Sequence, residues 1–178
     1  MSDKVYLITG VPGFLGKRLV AKLFKDDASC ETYLLVEERF KQKASEFADA
    51  LASKQNIKRD QIHIVTGDIT QENLGLKGKE LDEARDRVNI VWHLAAIYDL
   101  AVKQEIAEKV NVKGTQNVVA FLKTLKNLRR HNYISTCYVS GFRKGVIKED
   151  ELEMGQEFKN HYESTKYRAE IEVRNSMK

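Results

Sequence analysis

Between a short apolar run, Val5–Ile8, and a helical pattern over Phe14–Lys25 lies the segment Thr9-Gly10-Val11-Pro12-Gly13-Phe14-Leu15-Gly16. Glycines recurring every third residue, between a strand and a helix, constrain the fold more than anything else in the chain. Gly10 permits a tight turn, Gly13 lets a pyrophosphate approach the backbone, and Gly16 allows close helix–sheet packing. Phe14 and Leu15 fall in the first helical turn, whose free N–H groups would meet the phosphates. The spacing is one residue longer than G-x-G-x-x-G, and a plain structural turn is the competing reading.

The rest of the chain repeats the same alternation. Strands are expected at Thr32–Val36, Ile62–Val65, Asn89–Leu94 and Asn132–Ser135. Helices are expected at Phe40–Ser53, Leu81–Val88, Glu105–Leu128 and Glu157–Met177. Short buried strands alternating with amphipathic helices imply an α/β fold: a doubly wound parallel sheet in three αβα layers with right-handed crossovers. The one long internal loop is Gly141–Gly155. The 178 residues suit a single domain, 1-178. The chain stops at Lys178 directly after a helix, where such a sheet normally continues, so a longer enzyme with a further C-terminal substrate lobe is expected.

Composition narrows the function classes. Net charge is +4, and neither Lys41-Gln42-Lys43 nor Arg129-Arg130-His131 is interleaved with aromatics, so no nucleic-acid partner is expected. No apolar run approaches the roughly 20 residues of a membrane span. No signal peptide is read at Met1-Ser2-Asp3, which makes a cytoplasmic location the expectation. Cys30 and Cys137 fit no metal spacing and are expected as reduced thiols in or near the core; no metal is expected.

Chemistry-bearing residues cluster where strands end. Glu37 lies 21 residues beyond Gly16, where a carboxylate accepts from an adenosine ribose and favours NAD. Arg39 follows at once and could clamp the 2′-phosphate of NADP. The choice between NAD and NADP stays open between them. Asp68, in Gly67-Asp68-Ile69, could accept from an adenine amino group or simply cap a turn. His93-Leu94-Ala95-Ala96 puts small residues at the end of the fourth strand, with His93 read as a packed histidine. Ser135-Thr136-Cys137 closes the fifth strand, and either hydroxyl could hold a substrate carbonyl oxygen. Tyr162 and Lys166 share one helix face. A phenol ordinarily titrates near 10, and a neighbouring ammonium would lower that value and make Tyr162 a usable acid or base.

With those pieces in order, the chain resembles the extended short-chain dehydrogenase/reductase family from Thr9 to about Arg174. The matching residues are Thr9-Gly10-x-x-Gly13-Phe14-Leu15-Gly16, Gly67-Asp68-Ile69, His93-Leu94-Ala95-Ala96, Asn111-Val112-x-Gly114-Thr115, Ser135-Thr136-x-Tyr138-Val139-x-Gly141 and Tyr162-x-x-x-Lys166. Their wording looks most like the fatty acyl-CoA reductase and thioester reductase branch. The resemblance implies Tyr162 as general acid, Lys166 as the group that lowers its pKa and binds the nicotinamide ribose, and Thr136 as the residue orienting the carbonyl. It implies that Leu94, Ala95, Ala96 and Asn111 shape the cofactor side, with Asp68 and Ile69 flanking the adenine. That branch commonly carries a basic residue where this chain has Glu37.

The expected activity is hydride transfer to or from a small-molecule carbonyl or alcohol, with an acyl thioester or long-chain aldehyde as one option and a homodimer as another. The alternatives are a nucleotide-sugar epimerase or dehydratase using the same tyrosine and lysine, and a non-catalytic dinucleotide-sensing module.

Overall fold

A computed structural model describes residues 3–177. The readings made at Met1-Ser2 and Lys178 lie outside the described residues. Five strands form one sheet: β1 (Val5–Thr9), β2 (Glu31–Val36), β3 (Ile62–Thr66), β4 (Ile90–His93) and β5 (Arg130–Tyr133). Every pairing is parallel and the order is β3-β2-β1-β4-β5. Helices cover both faces: α1 (Phe14–Asp26), α2 (Lys41–Gln55), α3 (Gly78–Arg87), α4 (Gln104–Ala107), α5 (Gly114–Leu122) and α6 (His161–Ser176). The doubly wound parallel sheet is as the sequence implied.

Alternation along each strand explains why the strands read as continuous apolar runs. Leu7, Tyr33, Leu35 and Val91 point into one core with Val118 and Phe121, while Tyr6, Ile8, Leu34 and Val36 point into the other with Val20 and Phe24. A parallel sheet buried on both faces needs apolar side chains at both parities. The chain order reverses between β1 and β4, so the crevice for a ligand opens at their carboxyl ends.

Several boundaries differ from expectation, each for a local reason. β5 sits two residues earlier than read. Its ladder starts at Ile90↔Arg130 and stops at His93↔Tyr133. It stops because β4 does: the Leu94 and Ala95 N–H groups donate to Thr9 Oγ1, at 3.1 and 3.0 Å. The long helical pattern begins at Gln104, is wound as a π-helix over Glu108–Lys113 and ends at Leu122, well short of Leu128. The last helix starts at His161 rather than Glu157. Asn160 Oδ1 accepts from the Glu163 N–H at 2.9 Å, and the Glu163 carboxylate accepts from the Lys159 N–H at 3.1 Å, which together close the helix start. Cys30 is buried as read, and burial pushes its thiol up to about 12; Cys137 is exposed, because β5 has ended before it. Among the described residues no helix is long and apolar enough to cross a membrane.

Thr9 is buried and its hydroxyl joins β1 to β4. Thr9→Val should leave the Leu94 and Ala95 N–H groups and a buried imidazole nitrogen without partners, at a cost of about 2–4 kcal/mol in denaturant unfolding. Thr9→Ser should recover most of that stability, and equal losses in both variants would assign Thr9 a packing role only.

Candidate active site

The glycine turn is held by its own carbonyl. Gly10 has φ +84°, and a Cβ there would lie 2.9 Å from the Ala95 nitrogen, so only glycine lets β1 turn this close to the end of β4. A Cβ on Gly13 or Gly16 would come within 2.7 or 2.6 Å of the Gly10 carbonyl oxygen. The glycines therefore make room for one another first. Helix α1 then begins with no side-chain cap and no acidic residue in its first turn. Its opening N–H groups, with Phe14 and Leu15 exposed beside them, form an uncommitted anion cradle that fits a pyrophosphate.

Residues read as cofactor contacts divide into two groups. At the end of β2, Arg39 and Glu37 pair with each other: Nε to Oε2 at 2.9 Å and Nη2 to Oε1 at 3.1 Å, both exposed. The residues that favoured opposite cofactors form one bidentate ion pair. Asp68 is a turn cap, accepting from the Thr70 N–H at 2.8 Å and the Thr70 hydroxyl at 2.9 Å. Ile69 is buried, packed so closely on Gly114 that a Cβ there would lie 2.7 Å from its Cδ1. In this arrangement the Ile69 side chain serves the core. Leu94 and Ala95 are half-buried beside the turn, and Ala96 is exposed. Asn111 is buried and braces the strand end: its Oδ1 accepts from the Ile97 N–H at 2.9 Å, and its Nδ2 donates to Thr165 Oγ1 at 3.1 Å.

His93 is the packed residue expected. Thr9 Oγ1 accepts from two backbone N–H groups, so its own proton goes to His93 Nδ1, 2.8 Å away. Thr115 Oγ1 donates to the Asn111 carbonyl at 2.6 Å, so at 3.1 Å it accepts from His93 Nε2–H. His93 is therefore the neutral Nε2–H tautomer, and burial pushes its pKa down to about 3.

The reactive set converges at the next strand end. The Thr136 hydroxyl lies against the Tyr162 phenol and opposes the burial that raises its pKa. Of the two candidate hydroxyls, Ser135 is committed to the Glu170 carboxylate, which Arg174 also holds. Thr136 is thus the one facing Tyr162. The Tyr98 ring stands edge-on to Tyr162, centroids 5.0 Å apart. Lys166 is buried with Nζ donating to Tyr133 Oη at 2.7 Å and to the Ile134 carbonyl at 2.7 Å. Burial raises the Tyr162 pKa, with Thr136 opposing it, and burial brings Lys166 down to about 8. The expected net lowering of Tyr162 is reversed here: burial dominates, and the Lys166 ammonium is held on Tyr133 and Ile134. On the far side of Thr136 lies a cleft of about 640 Å3 lined by Val139, Ile147, Leu152 and Arg174. Tyr133 and Tyr98 went unread, and Thr115 was read only as part of the Asn111–Thr115 motif, without a role: what these side chains do depends on which strands and helices meet.

Fold and turn together define a dinucleotide-binding domain. Residues 8–178 match the NAD-binding family model described as "Male sterility protein", and the chain belongs to that family. It is 31% identical over 172 residues to "Fatty acyl-CoA reductase 2, chloroplastic" of Arabidopsis thaliana, covering 87% of this chain and 28% of that protein. It is 32% identical over 145 residues to "Fatty acyl-CoA reductase wat" of Drosophila melanogaster, covering 76% of this chain and 28% of that protein. Among solved structures, the terminal R domain of the myxalamid PKS-NRPS pathway superposes with TM-score 0.79 at 28% identity, covering 97% of this chain and 45% of that one. The chain thus spans under a third of these curated relatives and under half of that structure.

Between pH 8 and 10.5 the unfolded chain keeps the Lys166 proton and the folded chain has released it, so stability should rise with pH across that window. Measured against Lys166→Met, which cancels the contributions of Cys30 and the tyrosines, the gain should reach about 2 kcal/mol near pH 9.5. A flat difference would mean that Lys166 titrates as an ordinary lysine.

Proposed function

We propose that this chain is the dinucleotide-binding part, 1-178, of a reductase that transfers hydride to an acyl thioester or long-chain aldehyde. The observation that carries the reading is the meeting of the Thr136 hydroxyl with the Tyr162 phenol, one helical turn from Lys166, at the sheet edge that also carries the glycine turn. The names of the curated relatives, fatty acyl-CoA reductases, support the substrate class. So do exposed apolar side chains on the segments leaving that edge: Tyr98, Phe142, Val146 and Met154. An alkyl chain laid along them or into the cleft beyond Thr136 would leave water.

When bound, a reduced nicotinamide supplies hydride to the carbonyl carbon. Thr136 holds the carbonyl oxygen against Tyr162. Tyr162, kept protonated by burial, gives its phenolic proton to that oxygen as negative charge develops. Lys166, held on Tyr133 and Ile134, keeps its remaining N–H for the nicotinamide ribose. Gly10, Gly13 and Gly16 with the start of α1 take the pyrophosphate, and the Glu37–Arg39 pair lies at the adenosine end. A cytoplasmic site of action belongs to this reading, although the Arabidopsis relative is named chloroplastic. A second copy of the chain is a further proposed partner.

Calorimetric titration of this chain with NADH and NADPH should show binding of at least one, and binding of neither would sink the reading. Arg39→Ala should weaken NADPH several-fold more than NADH, since only the former carries the phosphate a guanidinium clamps. In the full-length protein, Tyr162→Phe should lower kcat by about 10²–10⁴-fold, the usual worth of a positioned proton donor, with dinucleotide affinity little changed.

A further inference from the structure

Tyr133 lies outside every motif above, yet it holds Lys166. Its phenol oxygen accepts from Lys166 Nζ at 2.7 Å, and the ammonium also sits 4.2 Å from its ring centroid. The second acceptor is the Ile134 carbonyl at 2.7 Å. Both acceptors are neutral, and the Glu170 carboxylate acts on Lys166 only from farther along α6. An ammonium has three N–H groups. Two are spent on Tyr133 and Ile134, which leaves the third for the site.

Tyr133 is itself fixed from behind. Its hydroxyl meets Thr115, and its ring tilts against His93 with centroids 5.6 Å apart. Thr115 joins His93, and His93 joins Thr9. A line of buried polar contacts therefore runs from the glycine turn to the lysine, through one side chain each from β1, β4, α5, β5 and α6. Burial pushes the Tyr133 phenol well above the ordinary tyrosine range, so it stays a neutral hydroxyl.

We propose that Tyr133 is a positioning residue for Lys166, whose hydroxyl fixes the ammonium against β5 and sustains its charge in a buried place. The inference rests on the reading of Lys166 as the residue that meets the dinucleotide. Removing the hydroxyl leaves one acceptor for a buried ammonium, and a charged form that loses a hydrogen bond is disfavoured. The other ionisable groups that act on Lys166 are Glu170 of α6 and His93 of β4, with His131 of β5 behind His93; both histidines are held neutral by burial. None replaces the lost acceptor.

The test is a carbon-detected NMR titration of Lys166 Cε in wild type and Tyr133→Phe, with Lys166→Met assigning the signal. Phenylalanine keeps the ring and nearly all the volume. The Lys166 midpoint should fall by about one pH unit in Tyr133→Phe. An unmoved midpoint in the folded variant overturns the inference. A second measurement needs no variant of Tyr133: in wild type its Cζ signal should step at the Lys166 midpoint and lose that step in Lys166→Met. A Tyr133 signal blind to the lysine also overturns it. NADH and NADPH titrations on the same samples keep the two readings apart. Binding of neither by wild type, with both NMR effects present, strikes the dinucleotide reading and leaves the Tyr133–Lys166 link standing. Binding with an unmoved midpoint strikes the link alone.

Discussion

Two strand ends meet at the Thr9 hydroxyl, and the remainder of the site is arranged around that meeting. The sheet reverses its winding between β1 and β4, so their carboxyl ends must diverge to leave a crevice while remaining joined below it. Thr9 does the joining. It takes the first two N–H groups that β4 can no longer offer a strand, and it passes its own proton to His93. Gly10 can then turn within van der Waals reach of Ala95, and the start of α1 is aimed across the crevice. The sequence reads His93 as a packed histidine, and the structure agrees. Its two filled nitrogens make it a strut.

The same economy of polar groups separates working side chains from supporting ones. Ser135, Asp68 and Asn111 are each fully engaged by neighbouring protein groups. Thr136 and Tyr162 have each other, and Thr136 also lines an open cleft. Lys166 stands between the two classes. It is buried and doubly held, which makes its charge costly and its position definite.

Much of this was legible in the chain. The alternation of strands and helices predicted the parallel sheet, because burial on both faces writes itself as apolar runs at both parities. The three glycines predicted the turn. Boundaries were less legible where long-range bonds decide them: β5 ends at Tyr133 because Thr9 ends β4, and no residue near 133 announces that. The pairing of Glu37 with Arg39 was hidden for a simpler reason. Two residues read as rivals for one ligand also attract each other. The direction of the Tyr162 shift was misread because the i, i+4 spacing places Lys166 on the right face without saying which acceptors compete for it.

The Glu37–Arg39 pair has a consequence for how this protein responds to salt. A phosphate arriving at the adenosine end would take the guanidinium from a carboxylate that already holds it. One ion pair is exchanged for another, but the freed Glu37 carboxylate is left beside a phosphate of nearly two negative charges. Mobile ions screen that repulsion as well as the new attraction. Added salt should therefore soften the penalty for phosphate at this position even as it weakens the long-range attraction of an anionic ligand to a chain of net charge +4.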